Sequence, residues 1–343
     1  MQKTVLGRTG LEVSVAGLGC GGHSRLGKLQ GKPFEHSVSI VRTALDLGVT
    51  FIDTAAAYET EDIVAAAIRG RRDGLVISTK VSVVAGDFFK AGELVDPDEL
   101  ERRVDGCLRR LDTDMVDILH LHGISLAQYD YCSTVLYERL QRIREAGKIR
   151  FLGLTERFGS ETDHSMAERA TADGLFDVIM IGLNYVNHTA LRKVLPQARA
   201  TGLGTLCMFA VRGVLGDRTR AAALVDKLVD AGEVDPSLID REDPVGFLIA
   251  PGVASSLAEA AYRFCRHSPG IDVTITGTGS DEHLRQNLRA INMPPLPQET
   301  LDRITAIFGA VTSESGEPRR ENGDTGRARA RVAPPSNSST VQR

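Results

Sequence analysis

The chain contains no run of about eighteen apolar residues, which leaves no segment able to cross a bilayer as a helix. Its opening, MQKTVLGRTG, lacks the apolar core of a secretory leader, so a cytoplasmic protein with no membrane attachment is expected. Cysteine is scarce and shows no pairing pattern: Cys20, Cys107, Cys132, Cys207 and Cys265 make an odd count with no CxxC spacing and no paired Cys/His clusters. This argues against a disulfide framework and structural zinc, fits a reducing compartment, and gives no metal site to expect. An excess of one charge is also missing. A net charge of −4 and a pI near 6.1 give no broad basic field for nucleic acid or anionic lipid.

What is present is an ordinary globular composition, 42% hydrophobic and 25% charged, enough for a sizeable core without covalent staples. The 343 residues could hold two average domains or one α/β barrel, since barrels run to roughly 250 residues or more as single units. Residues 4–6 and 12–15 flank Gly7-Arg8-Thr9-Gly10, a hairpin signal that could plug one end of a barrel. A strand at 15–19 and the glycine-rich loop Cys20-Gly21-Gly22-His23 follow. Helices are then expected at 34–47, 60–69, 97–110, 133–146, 163–172, 189–200, 256–266 and 281–290. Strands are expected between them at 49–53, 75–79, 115–120, 149–154, 176–181, 204–208 and 273–276.

With the strand at 15–19 these make eight strand–helix units, the pattern of an α/β (β/α)8 TIM barrel carrying an N-terminal β-hairpin. The rival, an open doubly wound sheet, usually places GxGxxG after its first strand, and Gly17-Leu18-Gly19-Cys20-Gly21-Gly22 lacks that spacing. Residues 209–255 form a long insertion with a short helix near 220–230, and an extra C-terminal helix is expected at 298–308. Residues 1–312 are thus expected to form one barrel domain. Residues 313–343 are expected to be a disordered polar tail, made basic by Arg319, Arg320, Arg327, Arg329 and Arg331.

The stretch from Gly48 to Tyr58 organises the rest. Val49 to Ile52 read as a buried parallel strand that ends on Asp53, and Tyr58 follows five residues later. The strand at 75–79 runs into Lys80, and the one at 115–120 leads to His122. In a parallel barrel all carboxyl ends share one face, so these four side chains should meet. Singly, each has a bland structural role. Four chemically matched groups at three strand ends point to catalysis.

At these residues the chain resembles the aldo-keto reductases, and the resemblance extends from the hairpin to about Asn287. It rests on Phe51-Ile52-Asp53-Thr54-Ala55-Ala56-Ala57-Tyr58, Ser78-Thr79-Lys80, Leu111-Asp112-Thr113-Asp114-Met115-Val116-Asp117 leading to His122, and Gly147-Lys148-Ile149-Arg150-Phe151-Leu152-Gly153-Leu154. The resemblance implies reduction of an aldehyde or ketone by hydride from a nicotinamide, with Tyr58 donating the proton. A free phenol titrates near 10, so a cation must stabilise the phenolate, a task that falls to Lys80 steadied by Asp53. His122 would bind the substrate oxygen, and His120 would lie in the barrel interior below the site.

The family pattern is altered elsewhere. Thr155-Glu156 stands where Ser-Asn usually holds the nicotinamide carboxamide, Asn184 is the expected substitute for a customary Gln, and Met208 would stack on the ring. The segment Gly277-Thr278-Gly279-Ser280-Asp281-Glu282-His283-Leu284-Arg285-Gln286-Asn287 matches the one that binds the adenosine end, with Thr278 and Ser280 suited to phosphate beside a helix start. Gly277, Gly279, His283, Gln286 and Asn287 are therefore cofactor candidates, as are Gly21, Gly22 and Asp53. Gly277 and His283 stand where relatives preferring NADP commonly carry Lys and Arg, leaving Arg285 as a nearby cation. The expected cofactor is NADP on family habit, with NAD a close alternative. Phe88 and Tyr129, with Tyr58 and His122, are expected to line the pocket for a small carbonyl or alcohol substrate. Alternatives are oxidation of a sugar or hydroxy compound, and a regulatory barrel with little turnover. A monomer or small homo-oligomer is expected.

Overall fold

The computed structural model describes residues 1–86 and 92–317. The described strands are β1 (Lys3–Val5), β2 (Glu12–Ser14), β3 (Ala16–Gly19), β4 (Phe51–Asp53), β5 (Val76–Ser82), β6 (Val116–Ile124), β7 (Ile149–Glu156), β8 (Val178–Gly182), β9 (Gly204–Met208) and β10 (Val273–Thr276). β1 and β2 pair antiparallel, and the other eight close into a parallel barrel in the order β10-β3-β4-β5-β6-β7-β8-β9. The sequence alternation predicts this (β/α)8 barrel with its hairpin, and the extra helix Gln298–Phe308 follows it.

Local chemistry sets the element ends. Gly48, at φ +87°, turns the chain out of the helix Phe34–Asp46 and into β4. Asp96 caps the helix Pro97–Leu111 by accepting from the Glu99 amide, with proline in its first turn. The hairpin closes the amino-terminal end of the barrel. Its Leu6, Leu11 and Val13 are buried with Phe51, Val76, Ile118, Val178, Met180, Leu206 and Val273, each side chain worth roughly 1.5–3 kcal/mol of transfer free energy. Arg8 ties the hairpin turn to the carbonyls of Gly174 and Phe176.

Inward and outward residues alternate along each strand, and ladder register fixes their level. Asp53 pairs with Ser78, Lys80 with His120, Ser82 with His122, and Thr155 with Met180. Phe51, Ile118, Phe151 and Met180 belong to the interior cluster, so Asp53, His120, His122, Gly153 and Thr155, an even number of residues further on, face inward too. Glu156 faces outward.

Three expectations need adjusting. The helix expected at 133–146 starts earlier: Ser125 and Gln128 form a capping box at Leu126–Tyr131, and a wider turn at Cys132–Leu136 joins it to Tyr137–Glu145. The helix expected at 189–200 breaks at Val194 into Ala190–Lys193 and Leu195–Thr201, because Pro196 has no amide hydrogen to continue the ladder. Residues 313–317, assigned to the tail, lie against the barrel, with Glu314 and Ser315 buried. The rest of that tail lies outside the described residues.

Candidate active site

The carboxyl ends of β4, β5 and β6 bring Asp53, Tyr58, Lys80 and His122 together. Lys80 is 1% exposed and donates from Nζ to Asp53 Oδ2 at 2.5 Å and to the Thr54 carbonyl at 2.9 Å. Ser78 donates to the other Asp53 oxygen at 3.0 Å. Burial opposes the ammonium charge, yet the Asp53 carboxylate and the Tyr58 oxygen outweigh it and hold Lys80 above the ordinary lysine range.

Tyr58 ends a short 3-10 turn, Ala56–Tyr58, closed by Glu59 in the left-handed region at φ +55°. Its ring centroid lies 5.0 Å from Lys80 Nζ, and its hydroxyl is 3.3 Å from His122 Nε2. The rings of Tyr58 and His122 meet edge to face at 5.4 Å. Burial raises the phenol above its usual value while Lys80 and Arg212 pull it down. His122 is pushed well below the usual histidine range by burial, then by Lys80, His120 and Arg157. At neutral pH the pair is therefore a protonated phenol facing a neutral imidazole.

His120 lies in the interior, as its parity requires. A Cβ on Gly153 would overlap its ring, so glycine on β7 makes the space the imidazole fills. Burial and the Lys80 charge lower its pKa to about 3.

The supports of this centre were not read from the sequence. Glu61, buried at the start of the helix Glu61–Ile68, accepts from Thr79 at 2.5 Å and from Arg110 at 2.6 Å, bracing β5 next to Lys80. Gly21 lies against Tyr58: a Cβ there would stand 2.6 Å from the ring, so this glycine gives the phenol its seat. Gly22, at φ +72°, opens towards Arg212.

Of the expected carboxamide ligands, Thr155 faces the mouth and accepts from the Gly123 amide at 2.6 Å. Glu156, assigned to the carboxamide, points away from it. Its Oε1 accepts from the Gly182 amide at 2.6 Å, and both oxygens lie 3.0 Å from Nδ1 of the fully buried His164. Asn184 is also occupied: its Oδ1 accepts from the amides of Val186 and Asn187, and its Nδ2 donates to the Ser315 carbonyl at 3.2 Å. The residue paired with Thr155 on the next strand is Met180. Alternation along β7 already turns Glu156 outward, whereas the turn that engages Asn184 lies beyond β8 and leaves no such signal. Met208 is the half-buried last residue of a strand otherwise buried, leaving a thioether at the mouth.

In the segment after β10, Thr278 accepts from the Ser280 amide, Ser280 caps the helix Asp281–Asn292 at His283, Gln286 donates to Glu282 and Asn287 to Thr276. Gly277 and His283 are exposed. A Cβ on Gly279 would stand 2.5 Å from the Gly27 amide nitrogen, so no side chain fits there. Arg285 is paired to Asp281 at 2.8 Å. Tyr129, assigned to the substrate pocket, is a core residue instead, fully buried with Arg169 over its ring. Phe88 lies outside the described residues.

Among the described residues no three His, Cys, Asp or Glu side chains gather as a metal site, and no helix is long and apolar enough to cross a membrane. Fold and site together define a parallel-barrel enzyme with its titratable side chains at the carboxyl face. The chain belongs to the aldo/keto reductase family, whose model matches residues 17–308. It is 31% identical over 334 residues to the L-galactose dehydrogenase of Arabidopsis thaliana, covering 89% of this chain and 94% of that protein. It is 25% identical over 312 residues to an uncharacterized oxidoreductase of Bacillus subtilis, covering 89% and 95%.

Solved aldo-keto reductases share the fold. The holo form from Bacillus halodurans superposes with a TM-score of 0.68 at 20% identity, covering 92% of this chain and 99% of that one. An enzyme of Klebsiella pneumoniae in complex with NADP and acetate gives 0.61 at 24%, covering 94% and 98%. The protein is thus an NAD(P)-dependent oxidoreductase.

Proposed function

We propose that the protein interconverts a carbonyl and an alcohol at Tyr58, and that its nucleotide is NAD(H) rather than NADP(H). The observation that carries the chemistry is the buried Lys80–Asp53 pair beside a phenol that faces a neutral imidazole. Tyr58 gives its proton to the substrate oxygen in reduction and takes it back in oxidation. Lys80 stabilises the phenolate left behind, and Asp53, held by Ser78, keeps the ammonium in place. His122 directs the substrate oxygen towards Tyr58 without adding a second charge beside Lys80. A bound nicotinamide supplies or accepts the hydride. Thr155 and the open thioether of Met208 fit its polar and apolar faces.

The nucleotide preference rests on the helix Asp281–Asn292, where the resemblance places the adenosine end. A ribose 2′-phosphate needs fixed cations. Position 277 has no room for one, since a Cβ there would stand 2.5 Å from the Gly19 carbonyl oxygen, position 283 carries a histidine, Arg285 is paired to Asp281, and Asp281 with Glu282 puts negative charge at that end. Oxidation of a hydroxylated substrate is a second reading of direction, favoured by the plant relative named as a sugar dehydrogenase.

Titration with NADH and NADPH, read through the nucleotides' own fluorescence, should show NADH binding at least about tenfold more tightly. Turnover is then followed with aldehydes and ketones, and with aldoses and NAD in the oxidative direction. Equal or tighter NADPH binding would refute the nucleotide assignment. Nucleotide binding with no turnover in either direction would refute the catalytic one.

A further inference from the structure

Opposite Tyr58, the loop after β9 and the last described residues of the chain form an ion cluster that the reaction scheme does not use. Arg212 donates from Nε to Glu317, whose other carboxylate oxygen lies 3.3 Å from His23 Nε2. The cluster therefore joins the loop after β3, the loop after β9 and the C-terminal segment across the mouth of the barrel.

Arg212 is held in place from below. Its guanidinium lies 4.4 Å from the Phe209 ring centroid, and Phe209 packs edge to face on the buried Phe158. Phe209 keeps φ at +67°, which costs a non-glycine residue energy and persists only where the surroundings enforce it. A Cβ on Gly22 would stand 3.4 Å from Arg212 Nη1, and the guanidinium is near enough to Tyr58 to lower its phenol. Glu317 is delivered from the other side. Asn187 donates to the Glu314 carbonyl at 3.0 Å, Asn184 to that of Ser315, and the Val214 amide to that of Gly316 at 3.2 Å.

We propose that Arg212 is a receptor for an anionic group of the ligand, and that Glu317 is the internal carboxylate filling it until the ligand arrives. The inference rests on reading the carboxyl face as the nucleotide and substrate site. A guanidinium presents the same fork to a carboxylate and to a phosphate, so Glu317 mimics either. The anion has two sources, the pyrophosphate of the dinucleotide or an acidic group on the substrate. Binding exchanges one ion pair for another, which makes affinity sensitive to Glu317 and to salt.

The test uses the full-length protein and its Glu317→Gln and Arg212→Gln variants. NADH binding is titrated through nucleotide fluorescence at low and high salt, and KM is measured for benzaldehyde and 4-carboxybenzaldehyde at saturating NADH. If the source is pyrophosphate, Glu317→Gln tightens NADH binding by about three- to tenfold and Arg212→Gln weakens it by about tenfold or more, both less at high salt. If it is the substrate, NADH binding stays within twofold, while KM for the acidic aldehyde relative to the neutral one falls in Glu317→Gln and rises in Arg212→Gln. Should both variants fold as the wild type does, as judged by circular dichroism, and leave both quantities within twofold, the receptor does not exist. That outcome is separable from failure of the underlying reading, which would also abolish NADH binding or turnover in the unmodified protein.

Discussion

At Tyr58 the decisive quantity is where the protons sit. Its phenol is protonated at neutral pH, Lys80 is charged, and His122 is neutral because burial and three nearby cations or imidazoles disfavour its ionisation. It follows that reduction shows no histidine limb near pH 6–7: kcat/KM should stay flat from about pH 6 to pH 8 and change only where the phenol and ammonium titrate. A pH–rate profile with an inflection near 6.5 that vanishes in His122→Gln would contradict this. These four residues were legible in the sequence because each ends a strand or follows one closely, and barrel geometry collects strand ends. Glu156, Asn184 and Tyr129 were misread because their motif positions said nothing of direction. Outward parity gave Glu156 to His164, a turn and the C-terminal segment absorbed Asn184, and the helix layer buried Tyr129.

Strands and helices set the spacing that makes the site possible. The eight-unit alternation was readable because parallel strands are short apolar runs separated by helical periodicity, whereas the break at Val194 and the wide turn at Cys132–Leu136 depended on single residues within helical patterns. β7 illustrates the coupling between element and site. Gly153 lies beside His120 in the ladder and leaves its imidazole room. Gly153→Ala should therefore cost about 1–3 kcal/mol of stability through overpacking, and lower kcat by displacing His120 below the centre. Urea unfolding and steady-state rates measure the two effects. An unchanged midpoint would show that the interior has slack at this level.

Across the whole molecule the buried histidines make stability depend on acidity. His120 is depressed to about 3 and His188 to about 4, both chiefly by burial. A histidine kept neutral in the folded state contributes stability above its unfolded pKa, near 6.5, and loses it as pH falls towards the folded value. The loss is about 1.4 kcal/mol per such histidine for each pH unit below that point. The urea midpoint should accordingly fall from pH 7 to pH 5, with a shallower slope in His188→Leu; identical slopes would remove His188 from this account. Sequence could not reveal the packing of residues 313–317, because their polar composition reads as solvent-exposed and the asparagines that hold their carbonyls lie about 130 positions earlier in the chain.

The most direct test of the account is Tyr58→Phe, compared with the wild type for NADH binding and for single-turnover reduction of an aldehyde under saturating nucleotide. Removing only the hydroxyl should leave NADH affinity within about twofold and slow the chemical step by roughly a hundredfold to ten-thousandfold. An undiminished rate in Tyr58→Phe would contradict proton transfer through Tyr58, and with it the reading of the Lys80–Asp53 pair as its support.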